Sequence, residues 1–370
     1  MCAPSEVSSP DVLLEELDFV IPKALIAQRP VEPRDSCRLL YLEADGGRRH
    51  AVFSDLPDLL RPGDTLVFND SRVLPARLEA HKPSGGSVEL LFVRPAVWVG
   101  DGGECWEVLA RPSHRLRKGG ELVLPGDERL HLRDSLGEGR WLVEAPCGCS
   151  LLATMEAYGR LPLPPYIKSY PEQPSAYQTV YATQPGSAAA PTAGLHFTSE
   201  LLRQLEDTGI KSAYVTLHVG LDTFQPIRET TVEDHPIHSE AYSVSPLALG
   251  TIRASIDSGE RLVAVGTTAT RVLETLARDG ILDGGSPAAD KATLSGSTQI
   301  FITPGYRFRA VGALLTNFHL PHSSVLALTM AFAESDRLRA AYAEAIALRY
   351  RFYSFGDAML IDAPSRGTRR

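Results

Sequence analysis

"RLVAVGTTATRVLETLARDG", residues 261–280, decides the fold class. An apolar strand, 261–266, runs into the small polar turn Gly266-Thr267-Thr268, and a helix over 268–278 follows. Strand, turn and helix in this order mark a layered α/β sheet, where ligands sit at the carboxyl ends of strands. The two threonines suit capping of the helix and also the holding of a small carboxylate or phosphate. Arg271 stands in the first turn, where the helix dipole disfavours a cation unless it has a partner or a task. The chain has no G-x-G-x-x-G and no G-x-x-x-x-G-K-[ST], so neither a standard dinucleotide site nor a P-loop is supported.

Two more stretches share this design. In "APTAGLHFTSELL" (190–202) Thr198 is a good N-cap, Glu200 suits the dipole, and Gly194 permits close approach to the backbone. Here a capping loop and a ligand site both remain open. In "LLTNFHLPHSSVLALTMAFA" (314–333) Asn317, His319 and His322 crowd the turn before Ser323 or Ser324 caps a helix. Three polar strand-to-helix turns suggest one shared cleft. A fourth stretch, "EDHPIHSEAYSV" (233–244), groups Asp234, His235, His238 and Glu240. Its H-x-x-H spacing permits a metal, but Pro236 breaks any helix that would align both histidines. A polar loop entering a strand, or acid–base work by His238 or Glu240, are the other readings.

Working outward, helices and strands alternate from residue 146 on: helix 198–208, strand 211–219, helix 246–258, strand 298–303, strand 308–316, helices 323–333 and 336–348, strand 352–361. Near the start, "CRLLYLEAD" and "RHAVFSDL" form a hairpin around Asp45-Gly46-Gly47. Between Val73 and Ala145 the texture differs. Six short strands ("VLPARLEAHK", "SVELLFVR", "CWEVLAR", "GELVLP", "RLHLRD", "RWLVEA") follow one another across glycine-rich turns, the pattern of a small antiparallel β-barrel. The expectation is a layered α/β domain (1–72 plus 146–370) with a barrel inserted at 73–145. Residues 1–10 read as a disordered tail, and 283–297 as a mobile loop.

The 370 residues carry a net charge of −8, which argues against a general nucleic-acid coat protein but not against a local basic patch. The five cysteines fit no disulfide framework, so a reducing cytoplasm is the simplest compartment. No signal peptide is visible at the N-terminus, and the longest apolar run is too short to span a bilayer. "GRLPLPPYIK" (159–168) and "YQTVYATQPGS" (177–187) are either packed loops or a tyrosine platform for bases. Arg111, Arg115, Arg117, Lys118, Arg307, Arg309, Arg349 and Arg351 are candidates to meet phosphates.

Taken together, "LRPGDTLVFNDSRVLPARL", "GRLPLPPYIK", "YQTVYA", "AAPTAGLHFT", "HSEAY", "IFITPGYRF" and "YRFYSFGDAML" closely resemble the S-adenosylmethionine:tRNA ribosyltransferase-isomerase family, from about residue 18 to 361. The resemblance implies an α/β domain with an inserted β-barrel. It implies transfer of the ribosyl group of S-adenosylmethionine to 7-aminomethyl-7-deazaguanine at the wobble position of a tRNA with a GUN anticodon. The sugar becomes an epoxycyclopentanediol, giving epoxyqueuosine, and adenine and methionine leave. No metal and no membrane are implied, and a cytoplasmic monomer is expected.

Such chemistry needs a base for a C5′ proton acidified by the sulfonium, a holder for the methionine carboxylate, and a proton donor for adenine. In this sequence Thr192, Gly194 and His196 are expected to line the reaction centre. Gly266, Thr267 and Thr268 would hold the carboxylate with Arg271 near. His218, His238 and Glu240 are acid–base candidates, and Asn317, His319 and Asp357 complete the wall. Asp222 stands where the family pattern has glycine, and "PEQPSA" (171–176) replaces expected acidic residues. A relative acting on a free deazapurine or another acceptor, or a tRNA-binding protein without catalysis, are the alternatives.

Overall fold

The computed structural model describes residues 12–96, 103–171, 173–220, 227–283 and 292–364. The tail at 1–10 and Asp222 lie outside them. Two compact units appear: Met1–Asp70 with Tyr166–Ala182 and Pro191–Arg370, and Ser71–Pro165 with Thr183–Ala190.

The first unit is built on a nine-stranded sheet in the order 294–298, 240–244, 211–217, 65–69, 262–265, 311–317, 358–362, 38–42, 48–52. Its centre is parallel: Lys211–Leu217, Thr65–Asn69, Leu262–Val265 and Val311–Asn317 all run the same way. Thr65–Asn69 and Leu262–Val265 are buried at every position, as strands covered on both faces require. Leu66, Phe68, Val263, Val265, Leu315 and Phe197 belong to one apolar cluster. The hairpin expected at Asp45 is present, with Arg38–Leu42 antiparallel to Arg48–Val52 and Gly46 at φ +96°.

Three of the boundaries that differ from the sequence reading have a plain physical reason. The strand expected at 298–303 lies instead at Leu294–Thr298, antiparallel to Glu240–Val244. Small residues are needed there: a Cβ on Gly296 would stand 2.8 Å from Tyr242 Oη. The loop reading of 283–297 therefore fails at its far end, and 284–291 is outside the described residues. The strand expected from 308 starts at Val311, because the amides of Arg309, Ala310 and Val311 all donate to the buried Glu274 carboxylate. The last strand is only Ala358–Asp362. Before it, the amides of Arg38 and Arg351 fold onto Asp357 and the backbone turns through Tyr353 at φ +72°.

The second unit holds a closed six-stranded antiparallel barrel in the order 140–144, 105–111, 87–95, 77–81, 121–123, 129–137. These are the six strands read from the sequence. The unit also includes the Leu151–Tyr158 helix and a short parallel pair, Gln184–Ser187 with Ser71–Val73. Among the described residues no helix is long and apolar enough to cross a membrane.

Candidate active site

The parallel strands of the first unit end on the same side, and most of the polar turns lie there. Leu262–Val265 passes directly into the Gly266–Arg278 helix. Gly266 takes a left-handed backbone (φ +88°), a conformation that a side chain would strain. The threonines do not cap this helix: its N-cap position is Val265, with no side-chain cap hydrogen bond. Thr268 Oγ1 is buried with no hydrogen-bond partner among the described residues. The first turn of a helix leaves amides without intrahelical partners, and this hydroxyl stands beside them with no partner among the described residues, an arrangement suited to an anion.

Next to it lies the Thr192–His196 turn, a 3-10 segment of which all but Thr192 is buried. Ala193 Cβ would be 3.5 Å from a Cβ placed on Gly266, so the two turns touch. Thr198 caps the following helix, accepting from the Leu201 amide at 3.1 Å. His196 closes the turn. Asn317 Nδ2, at the end of Val311–Asn317, donates to His196 Nε2 at 2.9 Å, leaving the ring proton on Nδ1, 3.2 Å from Cys37 Sγ. Burial, with Arg351 and Arg34 adding, pushes the His196 pKa down to about 3. It is a neutral imidazole with both nitrogens engaged. Burial likewise pushes the Cys37 thiol up. Asn317 Oδ1 has no partner among the described residues.

Arg271 reaches from the first turn of its helix to Glu240, and Glu240 also accepts the Gly220 amide at 2.9 Å. The expected cation therefore has its partner, while Arg271 Nη2 is buried and unpartnered among the described residues. His218 follows Lys211–Leu217, its amide tied to Ala241 O at 3.0 Å. Its Nδ1 is buried without a partner among the described residues. Burial lowers its pKa, partly opposed by the Asp70 carboxylate. Asp70 Oδ1 accepts Thr216 Oγ1 at 2.7 Å.

The remaining candidates stand apart. His238 is exposed. His319 Nε2 lies 2.7 Å from Thr316 Oγ1, and burial pushes its pKa down to about 3. Asp357 accepts Arg38 Nε and Nη2 and the amides of Arg38 and Arg351, so its observed engagements are structural. The tyrosine platform fails at Tyr177, which is fully buried. His235 Nδ1 pairs with Glu229 at 2.9 Å, and among the described residues no three His, Cys, Asp or Glu are grouped to hold a metal ion. From the sequence Tyr181 counts only as part of the tyrosine platform, and Asp70 is not among the expected site residues. Their signal was the polar "NDS" turn at the end of a buried strand and the tyrosines of "YQTVYA".

A parallel sheet whose carboxyl ends gather unbonded polar atoms, with a separate β-barrel unit, defines a bipartite α/β enzyme. Over residues 14–361 the sequence matches the family model described as queuosine biosynthesis protein. A relative from Rubrobacter xylanophilus named S-adenosylmethionine:tRNA ribosyltransferase-isomerase is 51% identical, covering 96% of this chain and 99% of its own. Relatives of that name from Anaeromyxobacter sp. (47%) and Moorella thermoacetica (46%) each cover 94% of this chain. The crystal structure of S-adenosylmethionine tRNA ribosyltransferase from Thermotoga maritima is similar at a TM-score of 0.52 and 35% identity, covering 94% of this chain and 99% of that one. The chain belongs to the S-adenosylmethionine:tRNA ribosyltransferase-isomerase family.

Proposed function

We propose that this enzyme transfers the ribosyl group of S-adenosylmethionine to the aminomethyl group of 7-aminomethyl-7-deazaguanine at the wobble position of a tRNA with a GUN anticodon. The sugar is isomerised to an epoxycyclopentanediol, and adenine and methionine are released. Beyond family membership, one observation carries the reading. Thr268 Oγ1, Arg271 Nη2, His218 Nδ1 and Asn317 Oδ1 are buried and unpartnered among the described residues, and all four follow or end parallel strands on one side of the sheet. Buried polar atoms are otherwise almost always bonded, so such a group is best explained by a polar substrate.

The roles follow from what each group has free. The uncapped helix end at Gly266–Thr268 suits the methionine carboxylate. Arg271, held by Glu240, points its chemistry to the same anion. Thr192 and Gly194 wall the centre, and His196 with Asn317 forms a neutral, dry boundary. Removal of a C5′ proton beside the sulfonium needs an unprotonated base with a free lone pair. His218 fits: burial favours its neutral form and Nδ1 has no partner among the described residues. His196 has both nitrogens engaged, His238 is exposed and Asp357 is saturated by Arg38 and two amides, which leaves Asp357 a positioning role.

The test is adenine release from S-adenosylmethionine, with and without tRNA carrying the aminomethyl-deazaguanine. Release that requires this tRNA, with a mass gain on the base, is expected. Release with the free base or another nucleophile would move the acceptor, and no consumption of S-adenosylmethionine would make the chain a binding protein. His218→Ala is expected to cut kcat about 10²–10⁴-fold with little change in affinity for S-adenosylmethionine.

A further inference from the structure

The Gly194 turn has a neighbour that the reaction as drawn leaves unused. Tyr181 Oη is buried without a hydrogen-bond partner among the described residues, and so is Thr179 Oγ1. Both lie against Gly194: a Cβ there would stand 1.9 Å from Tyr181 Oη and 2.8 Å from Thr179 Cγ2. Only glycine leaves room for this phenol oxygen. The ring that carries it is clamped, 4.8 Å from Phe68 and 5.7 Å from Tyr214 between centroids. A rigid aromatic ring thus holds one hydroxyl at a fixed place, dry and unbonded. An unmade hydrogen bond of this kind costs stability, and proteins keep such groups mainly at functional sites.

Its place in the fold gives it a task. The dipeptide Ala193-Gly194 touches the Gly266 turn through Ala193 and Tyr181 through Gly194. A substrate held by its carboxylate at Gly266–Thr268 and laid along this dipeptide brings its other end toward the phenol. For S-adenosylmethionine that other end is the purine, which leaves during the reaction.

Resting on the ribosyl transfer proposed above, we infer that Tyr181 is the catalytic proton donor to the departing purine, with Thr179 orienting it. The C1′–N9 bond breaks, its electron pair goes to the purine, and the Tyr181 proton goes to a purine nitrogen. The substrate's C5′ and the acceptor amine each give up a proton, the purine takes one, and the phenolate is restored from the same pool without another reagent. Burial, with Tyr214 and Asp70 adding, holds the Tyr181 pKa well above its usual value, so the donor is protonated at any working pH.

Tyr181→Phe tests this, since it keeps the ring packing and deletes only the hydroxyl. The Tm is expected at or above that of the wild type, because an unbonded buried group is removed. Adenine release at saturating S-adenosylmethionine is expected to fall roughly 100-fold, with KM nearly unchanged. With an S-adenosylmethionine analogue whose base departs readily without protonation, such as an 8-azapurine, the defect should shrink to about threefold or less. Full turnover on the natural substrate, or an equal loss on both substrates, would overturn the assignment. So would a fall in Tm that tracks the loss of rate. If the wild type releases no adenine, the ribosyl transfer itself fails and takes this inference with it. If the wild type releases adenine and Tyr181→Phe matches it, only the role of Tyr181 fails.

Discussion

The two ends of the parallel strands differ in how most of their buried polar groups are bonded, Arg337 Nε beside Asp362 being the exception at the amino end. At the amino end, Arg261 is a closed account. Its Nε and Nη2 bond Asp64 at 3.0 and 2.5 Å, its Nη1 bonds Asp362 at 2.5 Å, and Tyr41 Oη donates to Asp362 at 2.9 Å. At the carboxyl end, Thr268, Arg271, His218 and Asn317 each keep a buried polar atom unbonded among the described residues. Saturated networks rigidify and specify a fold. Unsaturated ones reduce stability and wait for a ligand. One sheet thus separates its structural work from its chemistry by the two ends of its strands.

Breaking the saturated end should have the largest effect. Arg261→Met takes from Asp64, 2% exposed, the arginine that bonds it through two nitrogens, and leaves Asp362, 3% exposed, with the mostly exposed Arg61 at 3.5 Å. Removing one member of such a buried pair costs about 3–5 kcal/mol. Urea unfolding should show that loss, while turnover per folded molecule at low temperature stays near wild type. A large loss of turnover in folded protein would mean that the two ends are coupled, and the division of labour would fail.

Much of this division was legible in the sequence, and the unread part has a common cause. Apolar runs entering Gly266-Thr267-Thr268 and Asn317 showed where chemistry gathers, because strand, turn and helix are local. Six strands with glycine turns showed the barrel for the same reason. The capping role given to Thr267 and Thr268 fails because Gly266 turns left-handed and starts the helix two residues earlier. The 308–316 strand was drawn too long because Glu274, in another element, captures three of its flanking amides. Asp357 looked catalytic until Arg38, far away in sequence, took both of its oxygens' attention. Tyr181 was read as a stacking surface since nothing local reveals that Gly194 seats its hydroxyl. What escaped reading in each case was a partner distant in sequence.

A second way to sharpen the comparison is pH. His196, at about 3, and His319, at about 3, are held neutral in the folded chain. Unfolded, each titrates near 6.5. Below that value the unfolded state binds protons that the folded state refuses, so stability falls as pH falls. For the buried His196 alone the loss between pH 6.5 and 5 is about 2 kcal/mol. Unfolding at pH 5 should therefore take up protons, close to one for each of these two histidines, measurable from the pH slope of the unfolding free energy. A flat slope in that window would show that these rings are charged in the folded protein. His218 moves the same way, so the acid limb of the rate profile should lie below the ordinary histidine range.

The smallest effects make the finest test, because one chemical change can be made in both kinds of setting. Thr198 and Thr268 both stand where a strand or turn gives way to a helix. Thr198 Oγ1 is saturated: it accepts from the Leu201 amide and donates to Asp35 Oδ2 at 2.7 Å. Thr268 Oγ1 has no partner among the described residues. Thr→Val is close to isosteric at either position and deletes only hydrogen bonding. Thr198→Val should cost about 1 kcal/mol of stability, the usual worth of an N-cap, and leave KM for S-adenosylmethionine alone. Thr268→Val should leave stability level or slightly raised, because no bond is lost, yet raise that KM about tenfold if the hydroxyl meets the substrate. Paired denaturation and kinetic measurements separate the outcomes. If both variants lose stability and neither changes KM, Thr268 is bonded within the folded protein, and the carboxyl end of the sheet is no less saturated than the amino end.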